Sequence, residues 1–214
     1  MQDHLFARAA ANRRQAADLL AGLSPEQWQT PTLCAGWTVR VLAGHLLMPL
    51  EVNVRRVALR LVRERGSFDR VTDSFSRALA ERPTDQIVAT LGTKADAQVA
   101  PAGVGPLGPL TDSCIHLLDM ARPLHLDVSP PLDDWPWVLD FLVSARARAG
   151  FVPRGRLKGL RWQASDQDWK HGQGSLVVGP SAALALAMTG RPAALPELTG
   201  PGVETLRRRL ALRD

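Results

Sequence analysis

Thr111-Asp112-Ser113-Cys114-Ile115-His116-Leu117-Leu118-Asp119 places two carboxylates and an imidazole, at 112, 119 and 116, in one short run. Spacings of four and three residues put all three on nearly one face of a helix, so the stretch reads as a helix carrying a polar cluster. A second run, Trp37-Thr38-Val39-Arg40-Val41-Leu42-Ala43-Gly44-His45-Leu46, offers another imidazole. Two imidazoles and one carboxylate are the ligand set of an open catalytic zinc site, whose fourth position is left for water or substrate. His45 must come from a different helix than Asp112 and His116, which suits a site built in the core of a helical bundle. On spacing alone, a satisfied core histidine remains the simpler reading of each ring.

The rest of the chain is consistent with a bundle. Its 214 residues are 45% hydrophobic, enough to bury a sizeable core. Residues 3 to 22 read as an amphipathic helix with Leu5, Ala9, Ala16, Leu19 and Leu20 in one stripe. Ser24-Pro25-Glu26-Gln27-Trp28 predicts a short helix opened by a capping box of Ser24 and Gln27. Thr38 is expected to cap a long helix running toward Arg65 and broken or bent near Pro49, because proline cannot donate to the carbonyl of His45. Further helices are expected over 68–81, 84–95, 109–121 and 133–148, with a loop between Pro101 and Pro109. After Gly150 the pattern changes. Leu157–Ala164 and Ser175–Val178 read as strands separated by a turn region at Asp166–Gly172, followed by helices at Ser181–Met188 and Gly202–Leu212. The fold class is therefore mainly α: an up-and-down four-helix bundle over residues 1–150 and a small α+β unit over 151–214.

Composition narrows the function. The formal charge of +5 comes mostly from arginine, but the clusters at Arg55, Arg56, Arg60, Arg63 and Arg65 and at Arg207–Arg209 lack aromatic interleaving or a nucleic-acid motif, so no nucleic-acid partner is expected. No apolar run reaches the roughly 18 residues of a membrane span, and the opening residues lack the pattern of a secretory leader, which together predict a cytoplasmic protein without membrane contact. Cys34 and Cys114 are too few for a disulfide framework.

Longer stretches carry a resemblance. Thr32-Leu33-Cys34-Ala35-Gly36-Trp37-Thr38-Val39-Arg40 with His45-Leu46, then Gly105-Pro106-Leu107-Gly108-Pro109-Leu110-Thr111-Asp112 with His116, Asp119 and Arg122-Pro123-Leu124, and finally Val178-Gly179-Pro180 through Thr189-Gly190-Arg191-Pro192 to Glu197-Leu198-Thr199-Gly200-Pro201-Gly202 resemble the mycothiol-dependent maleylpyruvate isomerase family, a branch of the DinB-like metalloproteins. The resemblance implies a DinB-like four-helix bundle with an α+β tail, and a divalent metal, usually zinc, held by His45, Asp112 and His116. Asp119, by its spacing on the helix, is expected to orient the ring of His116 or another ligand from behind. It further implies mycothiol as the thiol cofactor or cosubstrate and a small electrophilic substrate, with an isomerase or a thiol transferase as the reaction type. The alternative is a metal-binding or scaffold protein of the same fold without chemistry. Val41, Leu117-Leu118, Ala121 and His125 depart from the family pattern and bear on the substrate rather than the metal.

Other residues are weighed beside this set. Cys34 has no adjacent base and reads as structural. Arg77 and Arg122 are candidates to hold a carboxylate of mycothiol or substrate through bidentate contacts. His4, His125 and His171 are expected at the surface, and Trp135-Pro136-Trp137 reads as packing. The chain contains no tyrosine, so any general acid must be another group.

Overall fold

In the computed structural model, residues 1–100 and 103–211 are described. They form two compact units, Met1–Pro101 with Asp112–Pro130, and Ala102–Thr111 with Pro131–Asp214. The division differs from the boundary at residue 150 read in the sequence. The helix that begins at Trp135 packs on the helix at Ser181–Met188 and so shares its core.

The first unit is helical. Helix α1, Gln2–Ala21, buries the expected stripe of Leu5, Ala9, Ala16, Leu19 and Leu20. The capping box follows as read: the Gln27 amide donates to Ser24 Oγ at 3.3 Å and the Ser24 amide donates to Gln27 Oε1 at 2.9 Å. The helix it opens is a single 3-10 turn, Gln27–Gln29, that buries Trp28. Thr38 caps α2, Val39–Glu51, accepting from the Val41 amide at 3.4 Å.

The long helix expected to break or bend near Pro49 is broken into two. Pro49 lies inside α2, and the break falls at Val52-Asn53. A proline in the last turn removes one hydrogen bond, and the helix still closes because the Val52 amide donates to the Met48 carbonyl at 2.9 Å. Asn53 then starts α3, Val54–Arg63, by accepting from the Arg56 amide at 2.9 Å. Ser67 caps α4, Phe68–Ala80, and α5 spans Thr84–Thr93. Helix α6, Leu107–Ala121, of which residues 112–121 belong to this unit, starts two residues before the expected Pro109 and stops where Arg122-Pro123 requires.

Contacts within this unit are most extensive between α2 and α4, with α1 against α5 and α2 against α5. Their core includes Leu20, Leu42, Leu47, Ile87, Leu91 and, from α6, Leu117 and Met120. Gly44 sets the closeness of the first pair. A Cβ there would stand 2.2 Å from the Ser76 carbonyl oxygen and 2.8 Å from the Ala80 nitrogen.

The second unit is α+β. The helix expected over 133–148 is shorter, with α7 at Trp135–Val143 flanked by 3-10 turns. Three strands, β1 Leu160–Ala164, β2 Lys170–Gly172 and β3 Ser175–Gly179, form a sheet in the order β2-β1-β3, antiparallel on one side and parallel on the other. The sequence reading took β2 for turn. Its three exposed residues carry no alternating pattern, and the strand exists through ladder pairing of Trp162 with His171. The adjacent Trp169 indole donates to Asp140 Oδ1 on α7 at 2.8 Å. Helix α8, Ser181–Met188, matches its expected span, and its first amide donates to the Asp166 carboxylate at 3.0 and 3.1 Å. Helix α9 covers Val203–Ala211, and the expected end at Leu212 lies outside the described residues.

Candidate metal centre

His45 is on α2, and Asp112 and His116 are one turn apart on α6. The Nε2 atoms of both rings lie 3.4 Å from the same oxygen, Oδ1 of Asp112. One donor atom from each of the three residues lies within 4.8 Å of the other two, and among the described residues no other group of acids, histidines and cysteines gathers in this way. The rings themselves meet edge to face, with centroids 4.8 Å apart.

The outward nitrogens are engaged as well. His116 Nδ1 is 2.9 Å from Oδ2 of Asp119, which is fully buried, and His45 Nδ1 is 3.5 Å from Ser76 Oγ on α4. Ligating histidines in proteins have this arrangement, one nitrogen aimed at the metal and the other fixed from behind. Two of the three donor pairs, at 3.4 Å, are close to the edge of a tetrahedral shell with bonds of about 2.0–2.1 Å, roughly 3.3–3.4 Å. Two imidazole nitrogens and one carboxylate oxygen therefore suit a divalent metal.

Charge is distributed unevenly over the site. Burial alone would raise the Asp112 carboxyl, but the two rings, His116 first, hold it well below the usual carboxylate range. Burial likewise works against a charged His116, yet Asp112 and Asp119 together outweigh it and hold that imidazole up at about 9. Arg13, buried on α1, donates to the carbonyls of Ala95 and Ala97 at 2.9 Å each and contributes a fixed positive charge felt by Asp112.

A second layer surrounds His45. Trp37 lies against its ring, with centroids 5.2 Å apart and planes tilted by 45°. The Trp37 indole donates to Asp73 Oδ1 at 2.8 Å, and Arg77, one turn along α4, donates to both oxygens of Asp73 at 3.0 Å and to the Gly36 carbonyl at 3.2 Å. Arg77, read from the sequence as a candidate carboxylate binder, is thus engaged by a carboxylate of its own chain. Arg122 is half-buried just past α6 and donates its amide to the Leu118 carbonyl at 3.1 Å.

Cys34 sits half-buried in the turn before α2, where its carbonyl accepts from the Trp37 amide at 3.1 Å. His4, His125 and His171 are exposed, Trp135 is buried and Trp137 is partly exposed. Ser76, Asp73 and the Trp37 face were not singled out in the sequence. The one available signal was Gly44, since a glycine directly before a histidine on a core helix marks where another backbone comes close.

Comparison with known proteins bears on the fold. Residues 9–97 match the Mycothiol maleylpyruvate isomerase N-terminal domain. Among solved structures, the mycothiol-dependent maleylpyruvate isomerase superposes with a TM-score of 0.62 at 13% identity, covering 94% of this chain and 93% of that chain. A histidine-to-alanine variant of the same enzyme superposes with a TM-score of 0.60 at the same identity and coverage. No curated protein matches the chain. The match to that domain model covers residues 9–97, and the chain as a whole shares the fold of that isomerase.

Proposed function

We propose that this protein is a metal-dependent enzyme that uses mycothiol as cofactor or cosubstrate and acts on a small electrophilic substrate, by isomerisation or by thiol transfer. The observation that carries the reading is the convergence of two imidazole Nε2 atoms on one oxygen of Asp112, with each Nδ1 engaged from behind. His45, Asp112 and His116 hold the metal, zinc before other divalent cations because the donor set is two nitrogens and one oxygen with a position to spare. When bound there, such a cation keeps a thiol deprotonated near neutral pH.

The chain's own groups do the rest. Asp119 holds the His116 proton on Nδ1, so that Nε2 presents its lone pair to the centre. Trp37 covers the His45 ring and keeps water from that side. Arg122 is the proposed partner for a carboxylate of thiol or substrate. No helix among the described residues is long and apolar enough to cross a membrane, and we place the enzyme in the cytoplasm, with small molecules as its partners.

Metal analysis and calorimetry test this function. The purified protein is expected to carry about one divalent metal per chain, and mycothiol is expected to bind the zinc-loaded form with proton release and the stripped form hardly at all. Equal affinity for mycothiol with and without metal overturns the proposal and leaves a scaffold protein of the same fold.

A further inference from the structure

The two rings of the centre are braced by different chemistry. Behind His116 stands a buried carboxylate; behind His45 stands the neutral hydroxyl of Ser76, at 3.5 Å from Nδ1. That hydroxyl donates its own proton to the Thr72 carbonyl one turn back on α4, at 2.7 Å. Its oxygen then has only lone pairs to offer the ring, so the nitrogen facing it must carry the hydrogen. Nδ1 is the protonated nitrogen of His45, and Nε2 is left with its lone pair toward the centre. Ser76 has no solvent exposure, so no bulk water competes for the contact.

The backbone is built to bring this hydroxyl in. The missing side chain of Gly44 lets α4 approach α2 until the Ser76 carbonyl oxygen occupies the space next to the glycine, one residue from His45. One turn before Ser76 on α4, Asp73 holds the Trp37 indole whose ring covers His45. A single helix that contributes no ligand thus secures the ring at its edge and on its face.

We propose that Ser76 is a positioning residue of the metal centre, which fixes the tautomer of His45 so that Nε2 is its ligand nitrogen. The inference rests on reading His45, Asp112 and His116 as metal ligands. Because its brace is neutral, His45 is the more weakly held of the two histidine ligands, and loss of the hydroxyl acts through that ring alone.

Zinc affinity, measured by competition with a chromophoric chelator on stripped wild type, Ser76→Ala, His45→Ala and the double variant, tests the proposal. Ser76→Ala is expected to weaken zinc binding roughly 10-fold, the lower end for such outer partners, to change the visible spectrum of the cobalt-loaded protein, and to leave the denaturant midpoint of the stripped protein in place. In the His45→Ala background it is expected to add nothing, because its only route to the metal is gone. An unchanged affinity and cobalt spectrum in Ser76→Ala, or an equal loss in the absence of His45, overturns the role of Ser76 while leaving the metal site standing. A wild type that binds no zinc removes the site reading itself, and this inference with it. Nitrogen-15 histidine spectra of the zinc-loaded wild type decide the matter without any variant: a hydrogen on Nδ1 of His45 is expected, and metal on Nδ1 overturns it.

Discussion

The Nδ1 of His116 stands 2.9 Å from Oδ2 of Asp119, three residues further along α6 and without solvent exposure. A carboxylate in that place orients the ring and raises its basicity as a ligand. Asp119→Asn keeps the shape and removes the charge. It is expected to lower zinc affinity by roughly 10- to 100-fold while the protein stays folded. Chelator competition checks this, and a wild-type affinity would reduce Asp119 to a packing residue.

The metal-free site should respond to pH in a defined window. His116 is held up at about 9, above its unfolded value near 6.5, so its contribution is complete below about pH 6.5 and is lost as pH rises through 9. Asp112 is shifted down, so its contribution is present above about pH 4 and is lost as the solution becomes more acidic. Stripped protein is therefore expected to be most stable between about pH 4 and 6.5, and to lose on the order of 3 kcal/mol by alkaline pH. Zinc must displace the Nε2 proton of the charged His116 ring, Nδ1 keeping its own, so its apparent affinity should rise about tenfold per pH unit up to the region of 9 and flatten beyond. Denaturation and zinc titrations at a series of pH values read both trends. A zinc affinity independent of pH below 9 contradicts the assignment of that proton.

Cys34 and His45 separate two sources of sulfur chemistry. Cys34→Ser is expected to retain metal-dependent mycothiol binding, because the cysteine lies in a turn outside the ligand set. His45→Ala is expected to lose it. Loss in Cys34→Ser with retention in His45→Ala would reverse the two roles.

Gly44→Ala tests the close approach of α2 and α4. The added methyl would meet backbone atoms of Ser76 and Ala80 rather than a side chain that can swing away. A destabilisation of about 1–3 kcal/mol is expected, the usual cost of overpacking a core, read as a lowered Tm. An unchanged Tm would mean that the helices separate without cost.

Much of this was legible from local chemistry. Ser24 with Gln27, Thr38 at the start of α2 and the span of α8 depend on side chains within a few residues of the elements they define. The pairing of Asp112 with His116 was equally local, being one helical turn. What was not legible depends on distant partners. The strand at Lys170–Gly172 takes its form from Trp162 across the sheet, and Ser76 meets His45 only because two backbones touch at Gly44. The exact position of the break has a different source: Pro49 announces a disruption, but Asn53, an N-cap two residues past the end of α2, decides where the chain restarts.

The equal 3.4 Å separations from Asp112 Oδ1 to both imidazoles make one oxygen atom the meeting point of α2 and α6. His45 comes from one helix and Asp112 with His116 from the other, so a substitution that slides α2 along α6 moves one donor and leaves two behind. The register between the two helices is thus a setting of the centre itself, and a core substitution far from the donors can loosen the proposed metal site as surely as the loss of a ligand.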